Sequence, residues 1–454
     1  MKLYSLLILN YYHGFNIREH LSTKSPYPEF NIKTKDSSIE TIGYLNGCKV
    51  KQILHVNRHG TRFPSSKDIT KFNQLSAKVK TIAMDKLSAK DQELFNWINS
   101  YNINFNLEDN ELLTDSGESE LYQLGKRMSN LHPALFKSTK YKPYLFPFGS
   151  SIQSRSAISG TAYSLGLFEN RGNLTKSKLV PVYLETFAKG EDPYLEIKKS
   201  CPKWLLDIDG GKAAMNQTAP FIKANYPKHL DTLRKRFGIE FSLEEFKSIY
   251  KSCGYDISIF GNENRWCRFL DRDMVLDLEF ENDLDDYFTY SYGSGLNSYM
   301  ATELMSKLFN YTKLIYEHPQ SGEKAPRGVF MFGHSETIQF LVTFLDLFRD
   351  KVPLRWDMGR PERDGREYRT SKIAPFASNL DFEIYSCKQH SESEASNRQV
   401  QFKGSELEEL FIQVKLNENA IINPSCNDKL CSLTKFLNYY EQKLSQNFEN
   451  LCKL

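Results

Sequence analysis

A short apolar-rich run, Val50 to Val56 (V-K-Q-I-L-H-V), leads directly into R-H-G-T-R-F-P, Arg58 to Pro64. Such a run, ending in a glycine-bearing loop and followed by a helix-like pattern, predicts a buried strand whose C-terminal end opens into the loop. Open α/β sheets place their sites at strand ends of this kind, so the stretch sets both the fold class and the place to look for chemistry. Two guanidiniums beside an imidazole oppose its protonation and leave it nucleophilic. The arginines in turn need an anion, and their planar forks match phosphate oxygens. The expectation is a phosphate cradle with His59 at its floor. Gly60 would allow close backbone approach or a positive φ, and Pro64 would fix the exit.

The same layout recurs near the other end of the chain. Gly328 to Gly333 (G-V-F-M-F-G) reads as a buried strand, His334, Ser335 and Glu336 follow at once, and Thr337 to Phe348 reads as a buried helix. Between the two motifs, Ser65 to Tyr101 suits helices leaving the first loop, with Lys67 and Lys71 close enough in sequence to reach it. Leu112 to Met128 predicts a core-facing helix capped by Thr114 or Asp115, with Leu121, Leu124 and Met128 inward and Lys126 and Arg127 in solvent. Pro143 to Ser150 predicts a strand ending at Gly149, which puts Arg155 at the start of a helix rich in small residues. Val180 to Asp283 reads as helical and irregular, an insertion between sheet strands. Arg369 to Cys387 ends with the alternation of a half-buried strand. Val400, Phe402 and Phe411 to Leu416 read as edge strands, His390 to Arg398 as a polar hairpin loop, and Leu433 to Leu444 as a C-terminal helix.

Arg58, His59, Gly60, Arg62 and Pro64 resemble the R-H-G-x-R-x-P signature of the histidine phosphatase superfamily, in its acid phosphatase and phytase branch. Within that branch the chain is most similar to the multiple inositol polyphosphate phosphatases. The resemblance is carried by C-G-Y-D-I at Cys253 to Ile257, R-W-C-R-F at Arg265 to Phe269, Y-G-S-G-L-N at Tyr292 to Asn297, Arg369 to Cys387, and the His334, Ser335, Glu336 triplet. Typical acid phosphatases have aspartate directly after the histidine; here the acid comes two positions later, with serine where alanine is usual.

The resemblance implies an α/β fold: a mixed, largely parallel central sheet flanked by helices, with an inserted, mainly α-helical cap subdomain. The expected division is 1–44 for a leader and N-terminal extension, 45–165 with 285–454 for a discontinuous phosphatase domain, and 166–284 for the cap. It implies phosphomonoester hydrolysis through a phosphohistidine on His59, with Arg58, Arg62, Arg155 and His334 around the phosphoryl oxygens and Glu336 as general acid and base. No metal and no cofactor is expected. The implied substrates are inositol hexakisphosphate and its lower esters, with 2,3-bisphosphoglycerate a further candidate. Lys67, Lys71, Lys189 and Lys212 are the candidate substrate-binding lysines. Alternatives are a generalist acid phosphatase or lysophospholipid phosphatase, a mutase, and a non-enzymatic phosphate-binding scaffold.

The 454 residues suffice for one large α/β domain with an insertion, or for two domains, and a net charge of +3 is too small to argue for nucleic acid. Lys2 and the apolar run Leu3 to Leu9 reach the lower limit of a secretory leader, without an A-x-A cleavage site. The eight cysteines form an even set without C-x-x-C spacing, and Asn173, Asn216 and Asn310 head glycosylation sequons. Together these point to the secretory pathway, in the ER lumen or outside the cell. No run is long enough to span a bilayer. The expected partners are small phosphate esters met by a monomer.

Overall fold

The computed structural model describes residues 15–28, 47–101, 105–136, 140–317, 325–387 and 409–454. The leader run, Val400, Phe402 and the His390 to Arg398 loop lie outside them. The strands are β1 (Cys48–Arg58), β2 (Phe148–Ser150), β3 (Leu184–Glu185), β4 (Gly328–Gly333), β5 (Asn379–Cys387), β6 (Glu409–Leu416), β7 (Asn419–Ala420) and β8 (Leu430–Ser432). The helices that matter to the site and core are α1 (Ser66–Val79), α2 (Asp115–Leu131), α3 (Ser154–Leu167), α4 (Met215–Phe237), α5 (Leu243–Phe260), α6 (Arg272–Tyr290), α7 (Thr302–Glu317), α8 (Ser335–Phe344) and α9 (Leu433–Leu444).

One mixed sheet runs β3-β2-β4-β1-β5-β6-β7, with β8 beside β6. The β3, β2, β4 and β1 pairings are parallel, and from β5 onward the sheet is antiparallel. Ile53, Phe148, Phe330 and Phe332 meet Leu121, Leu124 and Tyr163 of α2 and α3 on one face. Leu54, Val56, Val329 and Met331 meet the second core, which includes Leu278 of α6, Leu308 of α7, Leu341 of α8 and Phe436 of α9. Cover on both faces is what lets β4 be apolar throughout and β1 bury Ile53, Leu54 and Val56 to both sides. The register pairs Arg58 with Gly333, so the loops carrying His59 and His334 leave the same sheet edge side by side.

The helix expected from Leu112 to Met128 begins at Asp115, where the Thr114 hydroxyl accepts from Gly117 N–H, and it buries Leu121, Leu124 and Met128. Of its basic pair, Lys126 faces solvent as expected and Arg127 does not. Lys126 is paired with Glu169, and Arg127 makes two 2.8 Å hydrogen bonds to Glu418, because α2 lies against α3 and near the C-terminal hairpin. Helices α4, α5 and α6 pack on one another, and α5 also packs on α1. β3 falls inside the 166–284 insertion yet hydrogen-bonds to β2 at the sheet edge, and α6 runs past residue 284 to Tyr290.

The strand expected to be half-buried, β5, is buried at every position. Its polar face survives burial because it is partnered: Asp381 holds His55 at 2.5 Å, and Glu383 holds His132 at 2.9 Å and Lys415 at 2.8 Å. Phe411 to Leu416 lies in β6, which has strands on both sides and is not an edge. Burial alone would push Glu383 up, but Lys415 and His132 reverse this and hold the carboxyl well below its ordinary range. Its contribution to stability is therefore present above the ordinary glutamate pKa of about 4.3 and lost as pH falls through the depressed value. Lys415→Met removes the cation and leaves a buried carboxylate, so we expect a loss of about 3–5 kcal/mol in urea unfolding at neutral pH. A loss under about 1 kcal/mol would mean that His132 alone suffices.

All eight cysteines are paired: Cys48–Cys387 ties the start of β1 to the end of β5, and the others are Cys201–Cys452, Cys253–Cys267 and Cys426–Cys431. Such pairing fits a secreted or extracellular protein. Asn173, Asn216 and Asn310 are exposed. Among the described residues no helix is long and apolar enough to cross a membrane.

Candidate active site

His59 leaves the end of β1 with its backbone still in the sheet, its N–H donating to Gly333 O at 3.0 Å and its carbonyl accepting from Ala377 N–H at 3.1 Å. The next residue is glycine because helix α2 lies directly against it. A Cβ on Gly60 would sit 2.5 Å from the Gly117 carbonyl, and one on Gly117 would sit 2.1 Å from the Thr61 carbonyl. Close approach, not a positive φ, is therefore what Gly60 supplies. Glu120 holds the turn from below, accepting from Thr61 N–H and from the Thr61 hydroxyl, both at 2.8 Å. Burial pushes its carboxyl up to about 7.

The His59 ring is 4% exposed, and its Nδ1 lies 2.8 Å from Gly60 O. A carbonyl can only accept, so Nδ1 carries the proton and the Nε2 lone pair is left for attack. Burial, then Arg58, Arg155, Arg62 and His334, drive the imidazole pKa well below its ordinary value. His59 is thus neutral and of defined tautomer, as a nucleophile must be.

Arg58 is anchored by backbone, donating from one terminal nitrogen to Thr23 O and Ala374 O at 2.6 Å each, with its guanidinium 4.4 Å above the Phe376 ring. Arg62 donates to Phe63 O at 2.7 Å and stands 3.4 Å from the Tyr255 hydroxyl, which gives the C-G-Y-D-I stretch a place beside the site. Arg155, in the first turn of α3, donates to Glu111 at 3.2 Å, and Arg62 approaches the same carboxylate at 4.0 Å. All three arginines have a buried Nε–H with no protein acceptor. Three orphaned guanidinium donors around one neutral imidazole is an arrangement made for a polyanionic oxygen cluster.

His334 stands with its ring 5.7 Å from that of His59, its Nε2 2.9 Å from the Ser151 hydroxyl. Burial is the main cause that brings it to about 4. Glu336 lies in the first turn of α8, its Oε1 3.0 Å from Lys198 Nζ. Burial would raise this carboxyl, but Lys198 and His334 outweigh it and hold it well below the carboxylate range.

The six residues singled out at the two motifs and Arg155 come to one sheet edge. Of the four candidate lysines, Lys71 is held by Glu244, and Lys67, Lys189 and Lys212 are exposed. The cations that do reach the site are Lys24 and Lys198. Lys24 sits in the 15–28 segment, assigned by sequence to the N-terminal extension but fastened here by Phe376 N–H to Ser25 O at 3.0 Å and by Arg58 to Thr23 O. Burial, Arg62, Arg58 and Lys251 lower Lys24 to about 7. With Glu111, Glu120 and Glu196, these are site residues the sequence did not single out.

Comparison with known proteins follows the same lines. Residues 49–404 match the family described as histidine phosphatase superfamily (branch 2). Multiple inositol polyphosphate phosphatase 1 of Dictyostelium discoideum is 24% identical over 88% of this chain and 67% of its own length. Among solved structures, the phytase from D. castellii superposes with a TM-score of 0.73 at 15% identity, covering 96% of this chain and 88% of that one. Bifidobacterium longum multiple inositol polyphosphate phosphatase, in complex with inositol hexasulfate, gives 0.64 at 14% identity, covering 96% and 100%. The family match covers more than half of the sequence and includes both histidine motifs, so the chain belongs to branch 2 of the histidine phosphatase superfamily.

Proposed function

We propose that this chain hydrolyses inositol polyphosphates, inositol hexakisphosphate and its lower esters foremost, through a phosphohistidine on His59 and without a metal. The observation that carries the reading is the neutral, tautomer-fixed His59 among three arginines whose buried Nε–H groups lack acceptors. His59 Nε2 attacks phosphorus in line with the ester oxygen, while Arg58, Arg62, Arg155 and His334 offset the charge gathering on the equatorial oxygens. Glu336 relays a proton to the departing alkoxide and later takes one from the water that attacks phosphohistidine. The arginines fill the charge-stabilising role that metal ions take in other phosphoryl transferases. Support for the substrate class comes from relatives named as inositol polyphosphate phosphatases, from one solved with inositol hexasulfate, and from Lys24 and Lys198 as added cations. Every named group comes from one chain, so a monomer suffices; the disulfides support a secretory setting. We extend the reading to α4, α5 and α6 as the cap over the cleft.

A generalist acid phosphatase is the second reading, and one observation favours it: Lys71, one of the four candidate lysines, is already paired with Glu244, which takes a cation from distant phosphates. The deciding experiment is phosphate release from inositol hexakisphosphate and from p-nitrophenyl phosphate, with EDTA present, from acid to neutral pH. We expect the inositol ester to be preferred and EDTA to have no effect. Preference for the simple ester selects the generalist. Sensitivity to EDTA removes metal independence, and no release of either ester favours a scaffold.

A further inference from the structure

Beside Glu336 the structure builds a seat for one lysine. Asp192 Oδ1 accepts from the Tyr194 and Leu195 N–H groups at 3.0 and 2.9 Å, turning the chain back toward α8. Leu195 O then accepts from the Thr337 hydroxyl at 3.0 Å, which joins this segment to the helix that carries Glu336. A 3-10 turn, Ile197–Ser200, follows with Ile197 buried, and the Cys201–Cys452 disulfide anchors its end. From this base Lys198 reaches 3.0 Å from Glu336 Oε1 and 3.3 Å from the Tyr290 hydroxyl, with its ammonium 5.1 Å from the Tyr290 ring centroid. Tyr290 is itself stacked on buried Trp204. Neighbouring Lys199 is bound to Glu196 at 2.6 Å, so Lys198 has no rival for Glu336 from its own turn.

We propose that Lys198 is a positioning residue for Glu336, fixing its carboxyl as an ammonium-bound carboxylate in the free enzyme, so that the proton for a basic leaving group must arrive on the substrate's own phosphate. The inference rests on the phosphohistidine reading above. The groups that act on Glu336 are Lys198 on this segment, Tyr290 on α6, Arg155 on α3, Arg58 on β1, and His334 and Ser335 beside it; Glu196 lies 3.9 Å from His334, and Asp286 acts on Tyr290. Among the charged ones Lys198 exerts the strongest pull on the carboxyl. A phosphomonoester monoanion brings one proton into this field. As the His59 N–P bond forms and the P–O bond to the alcohol breaks, that proton passes through Glu336 to the departing oxygen, and Glu336 ends the step as the carboxylate it began as. It is then ready to accept a proton from the water that cleaves the N–P bond. Since the second phosphate pKa is about 6, turnover of inositol esters falls as the pH rises past it. An activated ester, whose leaving group needs little help, is not limited in this way.

Lys198→Met keeps the length of the side chain and removes the charge. Burial of Glu336 persists, so the carboxyl should hold a proton of its own and the alkaline limb of kcat/KM on inositol hexakisphosphate should move up by about one to three pH units. The limb on p-nitrophenyl phosphate should stay in place, and Lys198→Arg should behave as wild type. A readout that needs no turnover is the infrared band of a protonated carboxyl, assigned by subtracting the spectrum of the same protein bearing Glu336→Gln. It should be absent from the free wild-type enzyme at mildly acidic pH and present in Lys198→Met. A Lys198→Met enzyme with no such band, or with its alkaline limb unmoved, overturns the proposal. If inositol hexakisphosphate proves not to be a substrate, the substrate reading fails on its own, and the carboxyl band still decides for or against Lys198.

Discussion

Replacing His59 with alanine should abolish turnover of every phosphomonoester and leave the fold standing. The side chain makes one internal hydrogen bond, to Gly60 O, while the bonds that place the residue, to Gly333 and from Ala377, belong to its backbone and survive. Its removal takes an imidazole out of a cluster of arginines that oppose its protonation, so we expect the melting curve to change by no more than about 1 kcal/mol. Activity is different: without a nucleophile the arginines still bind phosphate, but no covalent intermediate forms, and kcat should fall by on the order of 10⁵-fold or more. The check is steady-state rate on both esters together with circular-dichroism melting. Rapid quenching of labelled substrate should trap an alkali-stable, acid-labile phosphoryl group on wild type and none on His59→Ala. Substantial turnover by the variant would sink the covalent route.

What could be read in the sequence was what lies in one continuous stretch. β1 and β4 announce themselves as short apolar runs, and each delivers its histidine within a residue or two of the strand end, so both motifs can be found without knowing how the strands pair. That they pair with each other, Arg58 opposite Gly333, is a long-range fact carried by packing on both faces. Lys198 and Lys24 show the other limit. Each is a lone lysine in an irregular segment, and a lone lysine is most often a solvated charge. Only the turn tied to Thr337 brings the first to Glu336, and only the contact with Ser25 and Arg58 brings the second to the arginines. β5 misleads for a related reason. Its alternation is real, but Asp381 and Glu383 can be buried because His55, His132 and Lys415, all distant in sequence, are their hydrogen-bond partners. Arg127 likewise looks like a surface charge until Glu418 is placed beside it.

Glu336→Gln should divide substrates by the basicity of their leaving groups. Glutamine keeps an oxygen for Lys198 and the same volume in the first turn of α8, so the cradle around His59 should persist. It cannot relay a proton. An inositol alkoxide is a strongly basic leaving group and should lose about 10²- to 10⁴-fold in kcat, the usual worth of a positioned acid–base group, whereas p-nitrophenolate needs little protonation and should lose less than about tenfold in the phosphoryl-transfer step. Dephosphorylation uses the same carboxylate as base, so the two steps must be measured apart. A single-turnover burst of p-nitrophenol should stay close to wild type while phosphate release slows, and with the inositol ester the first step itself should be slow. The pH dependence follows from the charges around the carboxyl. Lys198 holds Glu336 ionised through the assay range despite its burial, so the alkaline limb on inositol esters reports the proton carried by substrate, and Glu336→Gln should lower the rate across the acid range without moving that limb upward. Equal losses on both esters, in the first step as in the second, would take the proton relay away from Glu336 and leave it as a partner that orders Lys198.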